Sequence, residues 1–248
     1  MTIPESIRIV RVSNASPDQS VPAADYHPDG GQSDVIARCS QWHRAFRNAD
    51  ICYPATLLAL PAAANWVYDR GCEVDARSPQ GISFALSAGI APARVILHCA
   101  NATGRILYDA LSLGVGQFIV DSENAAAMLG ACAQRSQRVL VDVTSGAPDW
   151  LFKAVLAEER LTMTGLYSEL GYPEDGVLRM LEHISDVRSR HGMLLSRIGL
   201  AVRGGHSSPV EAVAEKVADA LDDGCARFRL PRPALTVFPD WTALTHDL

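Results

Sequence analysis

Residues 51–78 read ICYPATLLALPAAANWVYDRGCEVDARS, and the fold class turns on them. From Ile51 to Tyr68 there is no charge, over a length that nearly spans a bilayer. Pro54 and Pro61 interrupt the run, its ends lack basic anchors, and Ala and Asn dilute its hydrophobicity, so it reads as a buried strand followed by a buried helix. The strand is Ile51 to Tyr53, the helix runs from about Pro61 to Arg70, and a second strand follows at Glu73 to Ala76. This is one β-α-β unit.

The alternation extends on both sides. A helical segment, Asp34 to Arg47, precedes the unit. Further strands are expected at Arg94–His98, Gln117–Val120, Arg138–Val143, Thr162–Tyr167, Arg197–Val202 and Ala234–Phe238. Helical spacing falls at Ile82–Ala88, Arg105–Leu113, Asn124–Arg135, Glu174–Arg190 and Pro209–Leu221. Eight strands separated by helices favour a closed (β/α)8 TIM barrel over an open sheet. Several strands are apolar for four or five consecutive residues, as parallel strands buried on both faces require. Functional groups then belong at the C-terminal strand ends, which carry Thr56, Asp75, His98, Asp121, Asp142, Glu169, Arg203 and Asp240.

At 248 residues and 48% hydrophobic, the chain is long enough for one large core. Residues 1–32, rich in Pro, Ser, Asp and Gly apart from a strand-like run at Ile7 to Val12, read as a flexible arm, with the barrel domain over 33–248. A net charge of −6, 20% charged residues and no basic cluster argue against nucleic acid or an anionic membrane as partner. The first twenty residues lack a secretory h-region, so a cytoplasmic location is expected. Six scattered cysteines show no metal-like spacing and read as small buried hydrophobes, Cys52 and Cys99 at strand ends included.

Tyr53 to Ser78 resembles the first β-α-β unit of diaminopimelate decarboxylases, where a YAxKA motif precedes a tryptophan-bearing helix, a glycine and a strand reading DV or DVAS. Tyr53, Trp66, Gly71 and Asp75 fall in register without a gap. The likeness continues through ALSAGIAPARVILHCANAT (Ala85 to Thr103) and ALSLGVGQFIVDSENAA (Ala110 to Ala126). It is weaker in VLVDVTSG (Val139 to Gly146), GLYSELG (Gly165 to Gly171), GLAVRGG (Gly199 to Gly205) and ALTVFPDW (Ala234 to Trp241). The resemblance implies the alanine racemase-like barrel of pyridoxal-phosphate enzymes, here without the family's C-terminal β domain.

It also implies what has changed. The cofactor lysine of YAxKA corresponds to Thr56, which cannot form an imine. The chain has two lysines, Lys153 and Lys216, and neither falls at a cofactor position. In the family's GLHSHIGS, the ring-stacking histidine corresponds to Glu169 and the last serine to Tyr172. The arginine of the fifth strand corresponds to Asp142. Arg203, Gly204 and Gly205 stand where the family has three phosphate-binding glycines, and EPGR becomes Phe238, Pro239, Asp240 and Trp241.

Two readings of the mouth stay open at this point. Asp75, Asp142 and Glu169, with His98 near, are expected to point into it and form an acid/base pair or a divalent-cation site. The plainer expectation is that Asp142, Glu169 and Arg203 neutralise one another at a solvated barrel end. Gly204 and Gly205 either cradle an anion or form an ordinary loop capped by Ser207 or Ser208. Functionally, one expectation is a non-catalytic relative that binds a small molecule at the mouth, a second copy of itself or a true decarboxylase. The other is an active enzyme of amino-acid metabolism, of decarboxylase or racemase type or re-equipped with carboxylates.

Overall fold

The structure is a computed structural model that describes residues 30–146, 148–169, 173–203, 209–240 and 244. Eight parallel strands close into a barrel in sequence order, and β1 pairs with β8 to complete it. The strands are β1 (Asp50–Pro54), β2 (Glu73–Ala76), β3 (Val95–His98), β4 (Gln117–Val120), β5 (Gln137–Asp142), β6 (Leu161–Ser168), β7 (Arg197–Val202) and β8 (Ala234–Pro239). Around them lie α1 (Gly30–Ala45), α2 (Pro61–Asp69), α3 (Pro79–Ser87), α4 (Gly104–Leu113), α5 (Glu123–Cys132), α6 (Asp149–Ala157), α7 (Pro173–His191) and α8 (Val210–Phe228). All eight expected strands are present within a residue or two.

Three expectations need correction. The first helix begins at Gly30, so the arm expected over 1–32 overlaps its first turn, and residues 1–29, with the Ile7 to Val12 run, lie outside the described residues. Helix α6 fills a gap between strands in which no helical segment stands out in the sequence. Pro148 at its N-cap offers no capping side chain, so the sequence shows no start signal there. Helix α8 continues seven residues beyond Leu221, because Gly224 is a crossing point and not a stop. A Cβ there would come within 2.4 Å of Leu181 Cδ1 on α7.

The charge-free stretch is β1, a short 3-10 turn (Ala55–Ala59) and α2. No described helix is long and apolar enough to cross a membrane. Tyr53 and Trp66 turn outward from the barrel and meet edge to face, ring centroids 5.4 Å apart. The Tyr53 hydroxyl donates to the Cys39 carbonyl at 3.0 Å, which ties α1 to the strand. Both motif aromatics therefore serve packing.

The apolar residues fall into two shells. The larger lies between strands and helices. The smaller fills the barrel interior with Cys52, Ile96, Ile119, Leu140, Tyr167, Ala201 and Phe238, one from each strand except β2. On β2 the corresponding place is held by Asp75, the register partner of Ile96. A buried carboxylate in that layer must find partners.

Candidate functional site at the barrel mouth

Side chains alternate along a strand, so Arg77, two residues after Asp75, also turns over the barrel axis. Its Nε donates to Asp75 Oδ2 at 3.1 Å. Its Nη2 reaches Tyr167 Oη at 2.8 Å and Glu169 Oε1 at 2.5 Å. Tyr167 and Glu169 belong to β6 and the residue after it, and β6 lies four strands from β2 in either direction around the ring. Arg77 thus straps the mouth across its diameter.

At the β6 end, Glu169 gathers donors. Tyr167 Oη donates to Oε1 at 2.7 Å and Arg203 Nη2 to Oε2 at 2.8 Å, while the Glu169 N–H is held by Thr144 Oγ1 at 2.9 Å. Burial opposes ionisation of Glu169, but the bonds from Arg203 and Tyr167 and the charge of Arg77 outweigh it and hold its carboxyl at about 2. At the β2 end, His98 Nε2 lies 2.8 Å from Asp75 Oδ1. The two buried atoms make a close polar approach. Burial would raise the Asp75 carboxyl, yet His98 and Arg77 hold it below the ordinary value. Burial, with Arg77 pulling the other way and nearby carboxylates adding to it, keeps the Tyr167 phenol protonated, as its donation to Glu169 requires.

One side of the strap is open. A cavity of about 360 Å³ is bounded by Thr56 of the 3-10 turn, Asp75 and Arg77, the start of α3 at Ser78 to Gly81, Glu169 and Arg203, and Phe238 to Asp240. Ser78 caps α3, its Oγ accepting the Gly81 N–H at 3.2 Å. Gly81 lets the helix sit close to the strands, since a Cβ there would be 3.2 Å from Ala55 Cβ.

The expected residues are therefore brought together in part. Thr56, Asp75 and Glu169 share one cavity, and His98 joins from below. Asp142 does not: its Oδ1 turns back to accept the Thr144 N–H at 2.8 Å, so it caps the turn after β5 and meets the site through Thr144, whose Oγ1 holds the Glu169 N–H. The expected neutralisation of Glu169 by Arg203 is present, but the other partner is Arg77, not Asp142. Gly204 and Gly205, with Tyr172, Ser207, Ser208 and Trp241, lie outside the described residues. Among the described residues, no three of His, Cys, Asp and Glu converge as a metal-binding set. Cys52 and Cys99 are buried, and burial pushes both thiols up. The sequence reading missed Arg77 and Tyr167. Their signals were an arginine at the alanine of DVAS and a tyrosine at the first histidine of GLHSHIGS.

The family model described as pyridoxal-dependent decarboxylase, pyridoxal binding domain, matches residues 32–156, half of the chain. The chain belongs to this family. This decarboxylase-family barrel is 29% identical over 240 residues to a diaminopimelate decarboxylase of Actinosynnema pretiosum subsp. auranticum, covering 83% of the chain and 55% of the relative. It is 25% identical over 255 residues to that of Mycobacterium tuberculosis, covering 84% and 57%. The chain spans about half the length of these curated relatives. Among solved structures, diaminopimelate decarboxylase from M. jannaschi superposes with a TM-score of 0.74 at 12% identity, over 87% of this chain and 60% of that one. A lysine/ornithine decarboxylase from Vibrio vulnificus, complexed with putrescine, gives 0.71 at 16% identity, over 84% and 61%. At these identities the structural likeness concerns the fold.

Within the family barrel, both lysines sit on the outer helices. Lys153 on α6 pairs with Asp149 at 2.7 Å and Lys216 on α8 with Glu174 at 3.4 Å; both are exposed, and neither borders the mouth cavity.

Proposed function

We propose that this chain is a diverged relative of the diaminopimelate and ornithine decarboxylases that has given up the lysine-linked cofactor and acts by binding. The observation that carries this reading is the cation inventory of the mouth. Thr56 stands at the lysine place of the resembling motif, and among the described residues no amine borders the cavity beside it. The arginines among its described lining residues, Arg77 and Arg203, are both engaged by Glu169. Among the described residues, those that border the cavity do not fit pyridoxal phosphate. An aldehyde cofactor needs an amine to condense with, and its phosphate needs uncommitted positive charge or backbone N–H groups. Among the described residues that border the cavity, Arg77 is taken by Asp75 and Glu169 and Arg203 by Glu169.

The reading of the mouth as a re-equipped carboxylate catalyst is weaker. A general acid or base works best with a pKa near the operating pH. Asp75 and Glu169 are both shifted the other way, Glu169 to about 2, as ion-paired structural carboxylates are. In the binding reading, the occupant is a small molecule at the mouth, a second copy of the chain or a true decarboxylase of the same cell.

The test is direct. Purified protein titrated with pyridoxal phosphate is expected to show no visible lysine–pyridoxal absorbance and no borohydride-fixed mass increment. It is expected to release no CO2 from diaminopimelate, ornithine, lysine or arginine. Robust turnover of any of the four would falsify the proposal.

A further inference from the structure

We propose that Arg77 supplies, from the end of β2, the cation that joins the mouth's carboxylates Asp75 and Glu169, and thereby keeps both an amine at position 56 and a phosphate-bearing aldehyde out of the same space. The proposal rests on the reading that position 56 is the lost lysine place, and it adds the residue that makes the loss tolerable.

Asp75 alone forces the issue. It stands in an otherwise apolar interior layer, 7% exposed, where an unpaired carboxylate is costly. Pro54 of β1 is its register partner, and Thr56 lies two residues further on, bordering the same cavity. A lysine at 56 would reach into that cavity, which Asp75 and Glu169 also border. With threonine there the carboxylates have no cation from β1, and Arg77 meets both of them from β2. A guanidinium suits this task because its fork satisfies Asp75, Tyr167 and Glu169 at once. Position 77 corresponds to the alanine of DVAS, a side chain too short to cross the mouth. Threonine at 56 and arginine at 77 are thus one exchange: the cation moves from one side of the cavity to the other. With Arg77 in place, a second cation from position 56 meets a mouth already neutralised. An anionic phosphate meets carboxylates whose counter-charge is committed.

The experiment compares wild type, Thr56→Lys, Arg77→Ala and the double variant, by thermal melting and by reaction with pyridoxal phosphate. In that reaction the lysine nitrogen replaces the aldehyde oxygen, which leaves as water, and the C=N bond is read by absorbance and fixed by borohydride for mass measurement. Arg77→Ala is expected to lower the melting temperature by on the order of 5–10 °C. Thr56→Lys is expected to recover most of that loss in the Arg77→Ala background and to give no gain in wild type. The double variant is expected to form the adduct to an extent roughly tenfold above Thr56→Lys alone. Should Arg77→Ala not fold, Arg77→Gln, which keeps donors for Asp75 and Tyr167 without the charge, takes its place. Additive effects on melting overturn the proposal, and so does as much adduct in Thr56→Lys alone as in the double variant. An adduct in wild type would instead remove the reading on which the proposal rests.

Discussion

Glu169 shows how a single side chain sets the character of this mouth. It accepts from a tyrosine and two arginines, and its carboxyl is held at about 2 against an ordinary 4.5. Because the folded value is depressed, its contribution to stability is fully present above about pH 4.5 and is lost as the pH falls through about 2. Arg77 and Arg203 are half-exposed or more, so water screens both pairs, and about 1–2 kcal/mol is the expected contribution. Urea unfolding of wild type and Glu169→Gln near neutral pH should show that difference, and the same comparison near pH 2 should show it nearly gone. A penalty of equal size at both pH values would mean that the carboxylate charge does not matter. Thr56, Asp75 and Glu169 were legible in the sequence because chemistry-bearing residues at C-terminal strand ends are conspicuous in an α/β pattern. Arg77 was not. An arginine in a strand-to-helix turn reads as a solvated charge, and its partner Tyr167 lies 90 residues away. Asp142 failed for the opposite reason: strand position predicts which way a carboxylate starts, not that a nearby backbone N–H will claim it.

At the scale of elements, β7 makes room for the mouth. Gly199 faces the barrel interior, and a Cβ there would lie 3.1 Å from both Tyr167 Cδ2 and Phe238 Cε2 and 3.3 Å from Leu140 Cδ1. The two rings meet edge to face at 5.1 Å, and Tyr167 meets His98 likewise at 5.0 Å, so they cannot retreat without disturbing the strap. Gly199→Ala is expected to destabilise by about 1–3 kcal/mol, as overpacking of a full core does, measured by urea unfolding; unchanged or higher stability would show that the interior has slack. The strand pattern was readable because parallel strands buried on both faces give unbroken apolar runs, as in QFIV and RIGLAV. Helix limits were less so. DWLFKAVLA lacks a capping side chain, and the glycine in LDDGCARF marks a close crossing with α7 where the sequence suggested an end.

For the whole molecule, the mouth draws on both the half that the family model matches and the half beyond it: Thr56, Asp75 and Arg77 come from the first. The family model covers residues 32–156, from α1 to α6, whereas Tyr167, Glu169, Arg203 and Phe238 all come from β6 to β8. The two halves are nonetheless one folding unit. β5 pairs with β6 at six positions, from Gln137↔Leu161 to Asp142↔Tyr167, and β1 closes on β8 at Asp50↔Thr236 and Ile51↔Val237. A fragment of residues 32–156 therefore exposes two strand edges with unpaired backbone groups. It also loses Tyr167, Ala201 and Phe238 from the interior layer and leaves Arg77 and Asp75 without the Glu169 end of the strap. Such a fragment is expected to show no cooperative thermal transition and to aggregate at concentrations where the full chain stays dispersed. A sharp, reversible melt from the fragment would mean that the matched half carries its own core, and that the strap across the mouth is an addition to the barrel and no part of what closes it.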